Sequence, residues 1–125
     1  MITLSRDACY GTCPMYTVEL HGDGTVVYRG KRFVAVKGER RGKVAEVAVQ
    51  DLVAEFRKAD FFSLSDQYIA GVTDFPSYTI SIEIDGKKKT VLDYVGGQVG
   101  MPRTVTDLEN DIDRIAGSDR WVRQK

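Results

Sequence analysis

The stretch Tyr16-Thr17-Val18-Glu19-Leu20-His21-Gly22-Asp23-Gly24-Thr25-Val26-Val27-Tyr28 decides how this chain folds. Tyr16, Val18 and Leu20 alternate with Thr17, Glu19 and His21, the period-two pattern of a half-buried strand. Val26 and Tyr28 resume it beyond Gly22-Asp23-Gly24. The apolar residues of both strands must share a face, so paired positions must sum to an even number. A three-residue loop, Gly22 to Gly24, meets that condition by pairing Leu20 with Val26 and Val18 with Tyr28. Gly24 is then the left-handed residue of a bulged turn.

The same reasoning applies further on. Tyr78, Ile80, Ile82 and Ile84 alternate with Thr79, Ser81 and Glu83, and Leu92 and Tyr94 read as the matching set on the return strand. Parity then selects a three-residue loop, Ile84-Asp85-Gly86, over a two-residue turn at Asp85-Gly86. Ile2 and Leu4 form a short first strand, which can stand apart from the sheet. Phe33, Val34 and Val36 suggest a third strand and a fourth runs to about Val47. Val49, Leu52, Val53 and Phe56 make one stripe of a helix over Ala48 to Ala59. Val105, Leu108, Ile112 and Ile115 make a second stripe, entered at Pro102 and stopped at Gly117. Trp121 and Val122 are expected to fold back onto the body. Ser65 to Pro76 reads as a long loop, of the kind that often carries function, and Gly96 to Gly100 as a flexible one.

The expected architecture is α+β: a single antiparallel sheet of five to six strands with two amphipathic helices on one face. The element order is β-β-β-β-α-β-β-α, with an extra N-terminal strand as an option. At 125 residues, 42% hydrophobic and 29% charged, the chain reads as one globular domain spanning residues 1–125. No apolar run approaches the ~20 residues of a spanning helix, so membrane insertion is not expected. Met1 to Arg6 resembles neither a signal peptide nor a basic presequence. That places the protein in the cytoplasm if Met1 is its natural start, and in the envelope or outside the cell if the chain was trimmed.

Cations and anions balance at 18 each, so no net field draws in nucleic acid. One local excess stands out in residues 29–43, where seven cations face a single anion, Glu39. Such a segment could grip phosphates, with Phe33 stacking a base. The blander reading has the acidic helix faces (Asp51, Glu55; Asp107, Glu109, Asp111, Asp113) neutralise it.

Between the first two strands lies Cys9-Tyr10-Gly11-Thr12-Cys13-Pro14-Met15-Tyr16, holding both cysteines. A spacing of four allows a disulfide in a compact turn, and a structural brace leads the readings. A redox pair at Cys9 and Cys13 comes second, because no helix start is expected there to lower a thiol pKa. A metal site comes last: two cysteines and the single His21 fall short of four ligands. A Cys/His dyad would require the loop to fold back past the first hairpin. Gly96, Gly97 and Gly100 lack the Gly-Lys-Ser/Thr of a phosphate loop, and no cofactor is expected.

The leading function is therefore a non-enzymatic binding module for a protein or small-molecule ligand. Its surface would draw on Tyr10, Thr12, Tyr16, Tyr68 and Asp74. Thiol–disulfide redox chemistry is the first alternative, and nucleic-acid binding the second.

The cysteine loop, the Gly22-Asp23-Gly24-Thr25-Val26 hairpin and Tyr28 to Val34 together resemble the bacterial domain-of-unknown-function family 6438. That family pairs a Cys-aromatic-Gly-x-Cys-Pro-x-Tyr loop with an Asp-Gly-Thr-Val hairpin. Phe56 to Leu64 and Val72-Thr73-Asp74 are similar to its helix exit and following loop. The resemblance runs from about Ile2 to Trp121. It implies a compact bacterial domain, often in exported or envelope proteins, with no established activity.

Overall fold

The structure, a computed structural model, describes residues 1–123. Its elements are β1 (Ile2–Arg6), β2 (Met15–Leu20), β3 (Thr25–Arg32), β4 (Gly38–Lys43), α1 (Glu46–Lys58), β5 (Gln67–Ile69), β6 (Tyr78–Ile84), β7 (Lys87–Tyr94), α2 (Arg103–Ala116) and α3 (Asp119–Val122). Among the described residues seven strands form one sheet in the order β4-β3-β2-β1-β6-β7-β5. The class is α+β, as expected, but the sheet is mixed: β5 runs parallel to β7. β5 lies inside the stretch read as a loop, and its three residues are too few to show a period. β1 does not stand apart; it lies at the centre, paired with β2 and β6. No helix among the described residues is long and apolar enough to cross a membrane.

The first hairpin follows its parity. Leu20 pairs with Val26 and Val18 with Tyr28, and Gly24 has φ +91°. A Cβ at Gly24 would also lie 2.1 Å from the Val44 carbonyl oxygen, so close approach and conformation both demand glycine.

The second hairpin does not. Ile84 pairs with Lys87, Ile80 with Val91 and Tyr78 with Asp93, around a two-residue Asp85-Gly86 turn at φ +52° and +75°. Both turn residues are left-handed, the type I′ pattern that suits the twist of a hairpin. The inward positions of β7 are thus Lys89, Val91 and Asp93, and Leu92 and Tyr94 face the other way. Lys89 is accordingly no free charge at a hairpin tip. Its ammonium is largely buried and donates to the Leu64 carbonyl and the Asp66 carboxylate.

Two further boundaries move. Phe33 to Val36 is not a strand: Phe33 turns left-handed at φ +56°. The segment folds over Gly30 and donates from Ala35 and Val36 N–H to the α3 carbonyls of Val122 and Trp121. The fourth strand ends at Lys43, not near Val47, and α1 starts two residues before Ala48. β4 carries no apolar alternation at all; it is a charged edge strand of the kind that discourages sheet-to-sheet pairing.

The core lies on one face of the sheet. Ile2, Leu4, Val18, Leu20, Val26, Tyr28, Ile80, Ile82 and Val91 pack with Leu52 and Phe56 of α1 and Val105, Leu108, Ile112 and Ala116 of α2. Phe56 meets Phe61 edge-on at 4.8 Å between ring centres. Trp121 does fold back, stacking on Tyr28 at 5.0 Å, and α2 ends at left-handed Gly117 as expected.

Candidate functional site

Register places five polar residues in one line across the sheet. Arg6 is opposite both Tyr16 and Tyr78, Tyr78 is opposite Asp93, and Asp93 is opposite Tyr68. Residues opposite one another on neighbouring strands share a face, so this row marks the end of the apolar core. Above it lies α2, whose Glu109 and Asp113 are separated by one turn and project from one side of the helix.

The Asp113 half of this arrangement is satisfied. Its Oδ1 accepts from the Tyr16 hydroxyl at 2.8 Å and from the Ser118 hydroxyl at 2.6 Å. Its Oδ2 accepts from Arg6 Nε at 2.9 Å. The Arg6 guanidinium lies over the Tyr78 ring, 4.5 Å from its centre. Burial, then the neighbouring Asp113 charge, hold the Tyr16 phenol well above its ordinary pKa. This half is a brace between strands and helix.

The Glu109 half is not. Glu109 is 2% exposed, and its Oε2 has no hydrogen-bond partner among the described residues. Burial, followed by the adjacent Asp93 carboxyl, pushes its pKa up to about 9, with Arg6 pulling weakly the other way. It is therefore protonated at neutral pH. Asp93 is 5% exposed and its Oδ1 accepts from Gly96 N–H at 2.8 Å. Only glycine fits at position 96, where a Cβ would lie 2.8 Å from Met101 Sδ and 2.9 Å from Asp93 Oδ1.

Both carboxyls line a cleft of about 330 Å³ whose apolar walls include Phe75, Pro76, Tyr78, Val95 and Met101. Phe75 is about half exposed. Val95 sits in the left-handed region at φ +51°, where a β-branched side chain is strained by roughly 1–3 kcal/mol. That strained residue sets the turn that brings Gly96 N–H back onto Asp93. The segment after it, Gly96–Val99, is a 3-10 turn rather than an open loop.

The residues singled out from sequence are divided by the fold. Cys9 and Cys13 are disulfide-bonded, with Cα atoms 5.8 Å apart, in the loop joining β1 to β2. Tyr10 is almost fully exposed beside them and Thr12 is exposed. Tyr16 is buried in the brace, so it presents nothing to a partner. Tyr68 belongs to the polar row and takes Ser65 N–H on its hydroxyl. Asp74 is exposed, left-handed at φ +70°, and precedes Phe75 at the cleft. His21 lies at the opposite end of β2 from the cysteine loop, roughly 20 Å away along a six-residue strand, which separates any Cys/His dyad.

Among the described residues, three of the seven cations in residues 29–43 are paired, all with carboxylates of the sheet and its turns and none with a helix. Arg29 pairs with Glu19 and Glu39, Arg41 with Glu39, and Lys43 with Asp23. Glu109 and Asp113 of the supposed solvent face point instead into the core side. Asp93 and Glu109 are what sequence reasoning missed, although one signal was present: Glu109 falls on the same stripe as Val105, Leu108 and Ile112.

Fold and site together define a class: a mixed sheet covered on one face by two helices, with a carboxyl pair buried beside an apolar cleft. Residues 1–116 match the family model described as Domain of unknown function (DUF6438), and the chain belongs to that family. Comparison with curated proteins finds no match.

Proposed function

We propose that the protein is a non-enzymatic binding module whose ligand occupies the cleft beside Asp93 and Glu109. One observation supports this above the rest: two carboxyls, 2% and 5% exposed, meet at the end of an apolar cleft with no cation bonded to either among the described residues. Taking carboxyls out of water without a cation is costly, and titratable groups buried in a cleft mark functional sites. Apolar walls with a small number of buried polar groups are the common make-up of small-ligand sites. The strained Val95 and the tight Gly96 contact keep the polar end of the cleft in place without a ligand. The disulfide loop, with Tyr10 at its surface, is in this reading a braced connection and not the recognition element.

Titration with benzyl alcohol, followed through the backbone amide spectrum, tests the location. Shifts are expected at Gly96, Gly97 and Met101, with a Kd in the millimolar range, as befits a ligand of about eight heavy atoms. Shifts confined to Tyr10, Gly11 and Thr12 would return the binding surface to the cysteine loop.

A further inference from the structure

The cleft ends in two buried carboxyls that share a proton, with no cation bonded to either among the described residues. Arg6 is the cation of the row, yet its hydrogen bonds run to Asp113 and Asn110 and its guanidinium is stacked over Tyr78. Nothing it donates reaches Glu109, whose proton is held instead against Asp93. Asp93 accepts from Gly96 N–H on one oxygen and also takes the proton of neutral Glu109. Phe75 and Tyr78 line the cleft with these two carboxyls.

We propose that the cleft binds a primary ammonium carried on a small apolar body, with the ammonium between Glu109 Oε2 and Asp93 and the body against Phe75, Val95 and Met101. The proposal rests on the cleft being the binding site and goes on to name the chemistry of its ligand. Three features carry it. An ammonium brings three donors on a compact point charge, which suits converging single acceptors better than the flat fork of a guanidinium. Aromatic faces attract a cation electrostatically, and more strongly where water is excluded. The cleft volume of about 330 Å³ is at the small end for ligand sites, which fits a single ring or short chain rather than a polymer.

Charge bookkeeping then gives the proposal a signature. Glu109 holds a proton while the cleft is empty, because burial and Asp93 both oppose its ionisation. An arriving ammonium reverses that balance, so Glu109 ionises and its proton passes to the buffer while the ligand keeps its own. The charged groups that act on Glu109 are Asp93 on β7, Arg6 on β1 and Asp113 on α2, and Tyr78 on β6 lines the cleft with it. Of these, Arg6 and Asp113 are already tied to each other.

Benzylamine and benzyl alcohol differ at the group in question and share the ring, so they separate the two levels of the argument. At about pH 8, benzylamine is expected to bind about tenfold more tightly than benzyl alcohol, with shifts at Gly96 and Gly97. Calorimetry in buffers of different ionisation enthalpy should show release approaching about one proton per ligand. Glu109→Gln keeps the side-chain size and stays neutral, as Glu109 already is. It should fold and lose both the benzylamine preference and the proton release. Equal affinity for the two probes in the unmodified protein would overturn the ammonium proposal and leave the cleft reading standing. If neither probe perturbs Gly96 or Gly97, both fall.

Discussion

The two long hairpins of this sheet look alike in sequence and pair differently. In β2–β3 the inward positions from Val18 to Tyr28 are the core's own, with the polar row reached only at Tyr16, so alternation identifies the buried face and parity identifies the turn. In β6–β7 the return strand sends Lys89, Val91 and Asp93 inward, leaving Leu92 and Tyr94 on the open face. The rule that apolar residues share a face fails there because the buried face is partly polar. A local rule that holds throughout one hairpin and breaks in the next marks where the chain departs from simple core formation, and such places are often functional. Here the break falls on the carboxyl that lines the cleft.

Gly24→Val attacks the hairpin that obeys the rule and should have the largest effect. It combines a forbidden φ with a 2.1 Å approach to the Val44 carbonyl. A loss of about 4 kcal/mol or more in urea unfolding is expected, a large share of a typical domain's stability. Loss of less than ~1 kcal/mol would mean that the turn can be rebuilt.

The second test concerns the hairpin that breaks the rule. Glu109's pKa is about 9 when folded against an ordinary 4.5, so the folded state binds the extra proton between those values. Stability is therefore highest below the lower value and falls as pH rises toward the upper one, by at most about 1.4 kcal/mol per pH unit. Urea midpoints across that window should decline in the unmodified protein more steeply than in Glu109→Gln. Parallel slopes would show that Glu109 ionises without penalty.

Outside both hairpins, the Cys9–Cys13 loop closes only a short ring. Replacing both cysteines by serine should cost no more than ~2 kcal/mol and leave the amide spectrum of the sheet intact. Global unfolding would make the loop part of the core. The smallest effect is expected at Gly86→Val, where φ is +75° but a Cβ meets nothing within 4 Å. Strain alone should cost about 1–2 kcal/mol. A cost matching Gly24→Val would erase the distinction between the two turns.

Much of the fold was legible because burial writes a period into the sequence. The stripes of α1 and α2, the β2–β3 register, the stop at Gly117 and the return of Trp121 all follow from apolar spacing and glycine conformation. Three things were not legible. β5 is held by pairing to β7 and is too short to carry a pattern. Phe33 to Val36 has strand-like residues, but tertiary bonds to α3 claim its backbone. Glu109 was grouped with the acidic helix faces because a charged residue type is normally solvated, and Asp93 drew no reading; their burial depends on α2 crossing the sheet at the polar row. The cysteine loop drew attention through its composition, whereas the cleft is assembled from three segments, residues 75–78, 93–101 and 106–109, and shows only in three dimensions.

The central claim is that Glu109 is a neutral acid buried beside a ligand cleft, and its own titration tests this most directly. The side-chain carboxyl carbon of Glu109, followed by carbon-13 NMR in the ligand-free protein, should change state with a midpoint of about 9. A midpoint near the ordinary glutamate value of about 4.3 would contradict the account, because a carboxyl that ionises freely is neither buried nor waiting for a cation.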